Sequence, residues 1–274
     1  PENNTPEDWK KMVSDFINES EKSRLKIPIF YGVDAIHGHS NIPGATVFPH
    51  SIGLGATRNP KLVEDIASAT AKELLATNVR WSFSPTLDMP RDIRWGRTYE
   101  TFSDDPQLVS ELGVSYIKGL QNNFVLGTPK HFIGLGGMAW GTSGNENYKI
   151  DQGYTFPNDS VLRAEYLLPF KAVVDAGAKS IMVGLNTWGD GKLSANKYLI
   201  TDVLKKELGF KGFVVSDWYG IYEIPGSDYR SAIVAINAGV DMVMLPFDYK
   251  PFIRNVVHAV ENGEISEDRI DDAV

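Results

Sequence analysis

The sequence predicts an α/β fold, organised as a TIM-like β/α barrel, on two main observations. Short apolar segments rich in β-forming residues alternate with longer amphipathic segments, which is typical of a parallel sheet with helical crossovers. The chain has 274 residues, of which 42% are hydrophobic and 23% charged, and β/α barrels commonly form one domain at this length. We therefore predict a single barrel domain over residues 1–274.

Each predicted element follows from this alternation. The predicted strands are residues 27–33, 79–85, 125–131, 180–185, 212–216 and 241–245. The predicted helices are residues 6–24, 60–76, 106–121, 159–176, 201–208, 227–238 and 249–262. Asn59, Asp105 and Asn158 stand where helix-capping residues are expected. A closed barrel needs eight strands, so either two strands are irregular or the barrel is incomplete, with an N-terminal strand absent from this chain.

Composition excludes several classes of partner. The formal net charge is −8, which disfavours a nucleic-acid partner because no cluster of basic residues offsets it. No apolar run reaches the roughly 18 residues that a membrane-spanning helix needs. The chain contains no cysteine, so it forms neither disulfides nor thiolate metal sites. The compartment stays open.

Polar side chains gather directly after the predicted strands, where β/α barrels place their reacting groups. The residues concerned are Asp34, His37 and His39 after the first strand, Asp88, Arg91, Asp92, Arg94 and Arg97 after the second, Lys130 and His131 at the end of the third, Asn186 and Trp188 after the fourth, and Asp217 and Trp218 after the fifth. Carboxylates and cations bind sugar hydroxyls, while tryptophan stacks on the C–H faces of the ring. The rim therefore favours a carbohydrate site, although each residue alone also has a structural interpretation.

Two other chemistries are less well supported by these residues. His37 and His39 lack a third ligand at a familiar spacing, so no metal site and no cofactor is predicted. Lys130 would form a Schiff base if burial lowered its pKa enough to give a neutral amine. Its neighbour His131 instead favours hydroxyl binding.

Five motifs, in order, closely resemble those of glycoside hydrolase family 3, in its β-glucosidase and exo-β-glucanase branch. They are Tyr31-Gly-Val-Asp-Ala-Ile-His-Gly-His39, Gly44-Ala-Thr-Val-Phe-Pro-His50, Arg91-Asp-Ile-Arg-Trp-Gly-Arg-Thr-Tyr-Glu100, Lys130-His-Phe132 and Val215-Ser-Asp-Trp218. The resemblance implies a retaining hydrolase that removes β-linked glucose from β-glucosides or β-glucan oligosaccharides, with Asp217 as nucleophile. It implies sugar contacts by Asp34, Arg97, Lys130, His131, Gln152 and Trp218.

The same resemblance places the acid/base glutamate in a following α/β sandwich domain, outside this chain. It therefore predicts a chain that alone is inactive or reacts slowly, and mainly with activated leaving groups. Leu135 stands where the family usually has an acidic residue, and loss of that carboxylate predicts a weaker contact in the first sugar subsite. A non-catalytic carbohydrate-binding barrel and, less favoured, a Schiff-base lyase using Lys130 remain as alternatives.

Overall fold

A computed structural model describes residues 3–274 and shows alternating helices and short parallel strands. The helices are α1 Pro6–Ser20, α2 Ser51–Thr57, α3 Pro60–Ala76, α4 Pro106–Gln121, α5 Asp159–Val161, α6 Leu167–Asp175, α7 Asp228–Ala238, α8 Tyr249–Glu261 and α9 Glu267–Ala273. Two segments, Leu162–Tyr166 and Tyr198–Glu207, are π-helical. The strands are β1 Gly32–Val33, β2 Trp81–Ser82, β3 Leu126–Gly127, β4 Tyr154–Thr155, β5 Ser180–Met182, β6 Thr187–Trp188, β7 Gly191–Lys192 and β8 Phe213–Val215.

All six predicted strand positions lie side by side in chain order, as a β/α barrel requires. Strand β2 pairs in parallel with both β1 and β3, and a parallel bridge between Phe132 and Val183 continues the array to β5. Strand β5 pairs in parallel with β8, and Val215 bridges to Met242. The regular ladders are shorter than predicted. The small sheet β4–β6–β7 is formed by the loop segments that follow β3 and β5. It was not predicted.

Local sequence accounts for where the helices begin. The side chains of Asn59, Asp105 and Asn158 each accept a hydrogen bond from a backbone N–H of the first helical turn, which confirms their predicted capping role. Helix α1 ends at Ser20, earlier than predicted. The predicted helix 201–208 corresponds to the π-helical segment Tyr198–Glu207, which begins three residues earlier and ends one residue earlier, and α2 and α9 were not predicted.

Two glycines in α4 have a packing role. A side chain at Gly119 would approach the backbone oxygen of Glu64 in α3 to 2.4 Å, and one at Gly113 would approach Leu87 to 2.5 Å. The glycines therefore permit close contact of α4 with α3 and with the chain after β2, at some cost in helix propensity.

Apolar side chains form two main layers. The larger layer lies between the strands and the surrounding helices and includes Val63, Leu112, Phe170 and Val214. A smaller cluster contains Trp81, Phe83, Met182, Val215 and Met244 from the strands and the residues that follow them. Within residues 3–274 no helix has the length and apolar character needed to cross a membrane.

His39 is buried and supplies a pH-dependent term in stability. Its ring lies 3.0 Å from the Thr77 hydroxyl through Nε2 and edge-on to Trp9. Burial lowers the pKa of His39 to about 4, and the charge of Glu73 acts in the opposite direction. Because the unfolded value is near 6.5, the stabilising contribution is complete above pH 6.5 and is lost as the pH falls towards 4.

We expect His39 to account for about 2 kcal/mol of the loss in unfolding free energy between pH 7.5 and pH 5. Urea unfolding of His39→Gln at both values should therefore show a smaller loss than the wild type. His258→Gln, at an exposed histidine, is the matched control and should keep the wild-type difference. An unchanged pH dependence in His39→Gln would contradict this assignment.

Candidate functional site

Asp217 lies two residues after β8, at the carboxyl end of the parallel strands. The N–H of Trp218 donates to its Oδ1 at 2.7 Å, and this bond fixes one carboxylate oxygen. The buried Ser216 accepts a hydrogen bond from the N–H of Met244, which anchors the end of β8 to the segment that bridges to Val215 through Met242. The side chain of Asp217 is 12% exposed, so the carboxylate is held firmly but is still reachable.

Lys130 and Asp34 form an ion pair that joins the ends of the third and first strands. The Nζ of Lys130 lies 2.8 Å from Oδ1 of Asp34. The lysine side chain is 3% exposed, whereas that of Asp34 is 56% exposed. The lysine of this pair is therefore buried, while the carboxylate of Asp34 is exposed to solvent.

His131 lies between two carboxylates. Its Nδ1 is 2.6 Å from Oδ2 of Asp88, and its backbone N–H donates to the same oxygen at 3.3 Å. Its Nε2 is 3.6 Å from Oδ2 of Asp217, which is too long for a hydrogen bond. Burial lowers the pKa of His131 well below its usual value, so the ring is neutral at neutral pH. Burial also raises the pKa of Asp88, to about 7.

Arg97 supplies positive charge beside these acids. Its Nε and Nη2 donate to the two carboxylate oxygens of Glu100, each at 2.8 Å. Burial lowers the pKa of Arg97, but the carboxylates of Glu100, Asp88 and Asp217 raise it, and the net change is upward. Burial likewise works against ionisation of Glu100, and its bonds to Arg97 lower its pKa overall. The guanidinium is therefore permanently charged and close to Asp217.

These residues form one unit, which we call the charged cluster. Its members are Asp34, Asp88, Arg97, Glu100, Lys130, His131 and Asp217. Sequence reasoning singled out five of them as site residues. It left Asp88 as one of several polar residues and did not assign Glu100, although Glu100 closes the Arg91-to-Glu100 motif three residues after Arg97.

The two remaining predicted residues lie outside this unit. Trp218 is 48% exposed beside Asp217. Gln152 has a left-handed backbone with φ 60°, and its carbonyl accepts a bond from Lys192 at 3.4 Å. Lys192 also donates to the carbonyl of Leu185 and pairs with Glu223. Within the described chain, the hydrogen bonds connect Gln152 to this lysine rather than to the charged cluster.

His37 and His39 are directed to different places. His37 lies against His50, with ring centroids 4.3 Å apart, and its Nδ1 is 3.1 Å from the carbonyl of Phe48. His39 is bonded to Thr77 as described above. Among residues 3–274, no three or more histidine or carboxylate side chains are grouped so that they could hold a metal ion.

Leu135 is buried in an apolar cluster beside the site. It is 1% exposed and packs with Trp95, Met138 and Ile150. Trp95 in turn donates from Nε1 to Asp151 at 3.2 Å. The leucine therefore supports the loop of residues 138–153. An acidic residue at position 135 would have to be buried among these apolar side chains.

One family model matches almost the whole chain. The model described as the glycosyl hydrolase family 3 N-terminal domain matches residues 2–274. A periplasmic β-glucosidase of Salmonella typhimurium is 33% identical over 92% of this chain and 32% of its own length. β-Glucosidase C of Emericella nidulans is 35% identical over 95% of this chain and 47% of its own length.

Solved structures give the same relationship. The exo-1,3/1,4-β-glucanase of a Pseudoalteromonas species superposes with a TM-score of 0.91 at 40% identity, over 98% of this chain and 34% of that one. A mutant β-glucosidase of Listeria innocua, in complex with laminaribiose, gives a TM-score of 0.86 at 28% identity, over 98% of this chain and 37% of that one. The chain thus spans about a third to a half of the length of these relatives.

Proposed function

The chain belongs to glycosyl hydrolase family 3, and from that premise we propose that it is the catalytic barrel domain of a retaining β-glucosidase or exo-β-glucanase. Its substrate would be the non-reducing-end glucose of a β-glucoside or β-glucan oligosaccharide. The observation that carries the proposal is the position of Asp217. Its carboxylate is accessible to solvent and lies at a strand end, beside Arg97, His131 and the Lys130–Asp34 pair.

In this proposal Asp217 acts as the nucleophile. One oxygen of its carboxylate attacks the anomeric carbon, the bond from that carbon to the leaving oxygen breaks, and a glycosyl ester forms. Water then attacks the anomeric carbon from the side opposite to the ester and gives a proton to the acid/base group, the bond to Asp217 breaks, and the sugar leaves with its original configuration. The Trp218 N–H on Oδ1 supports this role, because it leaves Oδ2 as the attacking oxygen.

The other members of the charged cluster would hold the sugar. Asp34, Lys130 and Arg97 offer charged hydrogen-bonding groups at the rim, and such bonds are stronger than neutral ones. A sugar hydroxyl that donates to Nε2 of His131 would lie beside Asp217, whose Oδ2 is 3.6 Å from that nitrogen. Trp218 offers an exposed aromatic face, and Gln152 would contribute from the neighbouring loop.

The acid/base group would come from a following α/β domain of the same enzyme. Retaining cleavage needs a second carboxyl group about 5 to 5.5 Å from the nucleophile. The carboxylates near Asp217 are already engaged, Asp34 by Lys130, Asp88 by His131 and Glu100 by Arg97. This engagement supports an acid from outside residues 1–274.

A lyase mechanism is less well supported. A Schiff base needs a free amine, whereas the Nζ of Lys130 is engaged by the Asp34 carboxylate at 2.8 Å. An amine held by a carboxylate in this way serves as a hydrogen-bond donor and not as a nucleophile.

Covalent trapping tests the proposal. After incubation with a 2-deoxy-2-fluoro-β-glucoside that carries an activated leaving group, mass spectrometry should show one added fluoroglucosyl group on the peptide containing Asp217. The activated group leaves without protonation, so the experiment needs no acid/base residue. Sugar binding without any adduct would instead favour a non-catalytic carbohydrate-binding barrel.

A further inference from the structure

We propose that the loop of residues 138–153, together with residues 94–97, binds the further sugar units of an oligosaccharide substrate, with Trp140 and Tyr148 as the stacking residues. The inference rests on the proposed function, because it adds a binding region beside the charged cluster. It also specifies the substrate class, which is a neutral oligosaccharide rather than a glucoside of a small apolar alcohol.

Two adjoining cavities follow this loop. The first, of about 430 Å³, is lined by residues 94–97, Trp140 and residues 147–151. The second, of about 550 Å³, is lined by parts of residues 142–154 together with Thr187, Lys192 and Glu223. Tyr148 and Asp151 line both cavities. Because Arg97 lines the first cavity and also belongs to the charged cluster, the path begins beside the proposed catalytic residues.

Trp140 presents a rigid aromatic face. The guanidinium carbon of Arg94 lies 3.9 Å from the centre of the Trp140 ring system, and Arg94 is itself held by the carboxylate of Asp92. Trp140 is nevertheless 50% exposed. One face of the indole is therefore covered by a fixed cation, and the exposed face is available to stack on the C–H groups of a sugar ring.

A backbone hydrogen bond joins the two segments of the loop that carry Trp140 and Tyr148. The N–H of Gly141 donates to the carbonyl of Lys149 at 2.8 Å, which joins the residues next to Trp140 and Tyr148. Below them, Leu135 and Ile150 belong to a buried apolar cluster. A platform that is already fixed loses little side-chain entropy on binding.

The chemistry of the lining favours a sugar as the occupant. Tyr148 is 64% exposed and stands beside Asn147, Lys149 and Asp151. Aromatic faces interleaved with amide, ammonium and carboxylate groups match a ring that has apolar C–H faces and hydroxyls at its edge. An apolar alcohol offers no hydroxyls with which these polar groups could form hydrogen bonds.

Calorimetric titration of the chain in an Asp217→Ala background, which prevents turnover, tests the inference with glucose, laminaritriose and cellotriose. We expect at least one trisaccharide to bind about tenfold more tightly than glucose. Trp140→Ala should remove most of this advantage while the Kd for glucose stays unchanged. Trp140→Phe should retain most of it, since an aromatic face is still present.

Phe124→Ala is the matched control. Phe124 is 80% exposed but precedes β3, at the amino end of the strands, so this variant should bind trisaccharides as the parent does. If glucose binds but trisaccharides bind no more tightly, or if Trp140→Ala keeps the full advantage, the inference fails and the proposed function stands. If neither glucose nor the trisaccharides bind, both fail.

Discussion

Asp217→Ala is expected to lower the rate of hydrolysis of an activated aryl β-glucoside by at least roughly 10⁴-fold. The carboxylate at the end of β8 is the group that would form the bond to the anomeric carbon, and alanine offers no atom to replace it. The Trp218 N–H that binds Oδ1 in the wild type would also lose its partner. Release of the chromogenic alcohol, followed over a range of substrate concentrations, measures the loss.

Two controls separate chemistry from folding. Asp190→Ala changes an exposed carboxylate in the turn between β6 and β7 and should keep wild-type activity and melting temperature. Sodium azide added to Asp217→Ala should restore part of the rate, because the small anion fits where the carboxylate was and attacks the anomeric carbon, giving a glucosyl azide of inverted configuration. Wild-type turnover by Asp217→Ala without azide would show that the nucleophile lies elsewhere.

The order of the strands could be predicted because the pattern that encodes it is local. Each predicted strand is a short apolar segment, and parallel pairing in chain order follows from the helical crossovers between them. The sheet β4–β6–β7 could not be predicted in this way. Its β4–β6 pairs, such as Tyr154 with Thr187, join loop segments far apart in the chain, and its β6–β7 pair is a short hairpin. No periodic pattern marks residues that pair for two positions only.

The site residues were predicted from motifs, and a motif identifies residues but not the side chains that they contact. Lys130 was assigned to the sugar, but its bond to Asp34 depends on the first and third strands ending at the same rim. Asp88 is the clearest case, because a carboxylate after a strand usually faces solvent. Only the parallel bridge of Thr86 to Lys130 brings Asp88 beside the buried ring of His131.

Asp88→Leu is expected to slow covalent trapping by about 10²-fold through its effect on His131. At pH 8, above the raised pKa of Asp88 near 7, the carboxylate accepts a hydrogen bond from Nδ1–H of His131, which leaves Nε2 as an acceptor for a sugar hydroxyl. Leucine cannot accept that hydrogen bond. The ring should then change to the tautomer with hydrogen on Nε2, which presents a donor towards Asp217 instead.

Asp88→Asn is the matched control, since its amide oxygen can still accept from Nδ1 while the negative charge is gone. We expect this variant to keep most of the trapping rate. Nitrogen NMR of the imidazoles at pH 8, with the His131 signals identified through His131→Gln, reports the tautomer independently of activity. Equal losses in Asp88→Asn and Asp88→Leu, with His131 in its original tautomer, would mean that Asp88 acts through its charge and not by orienting the ring.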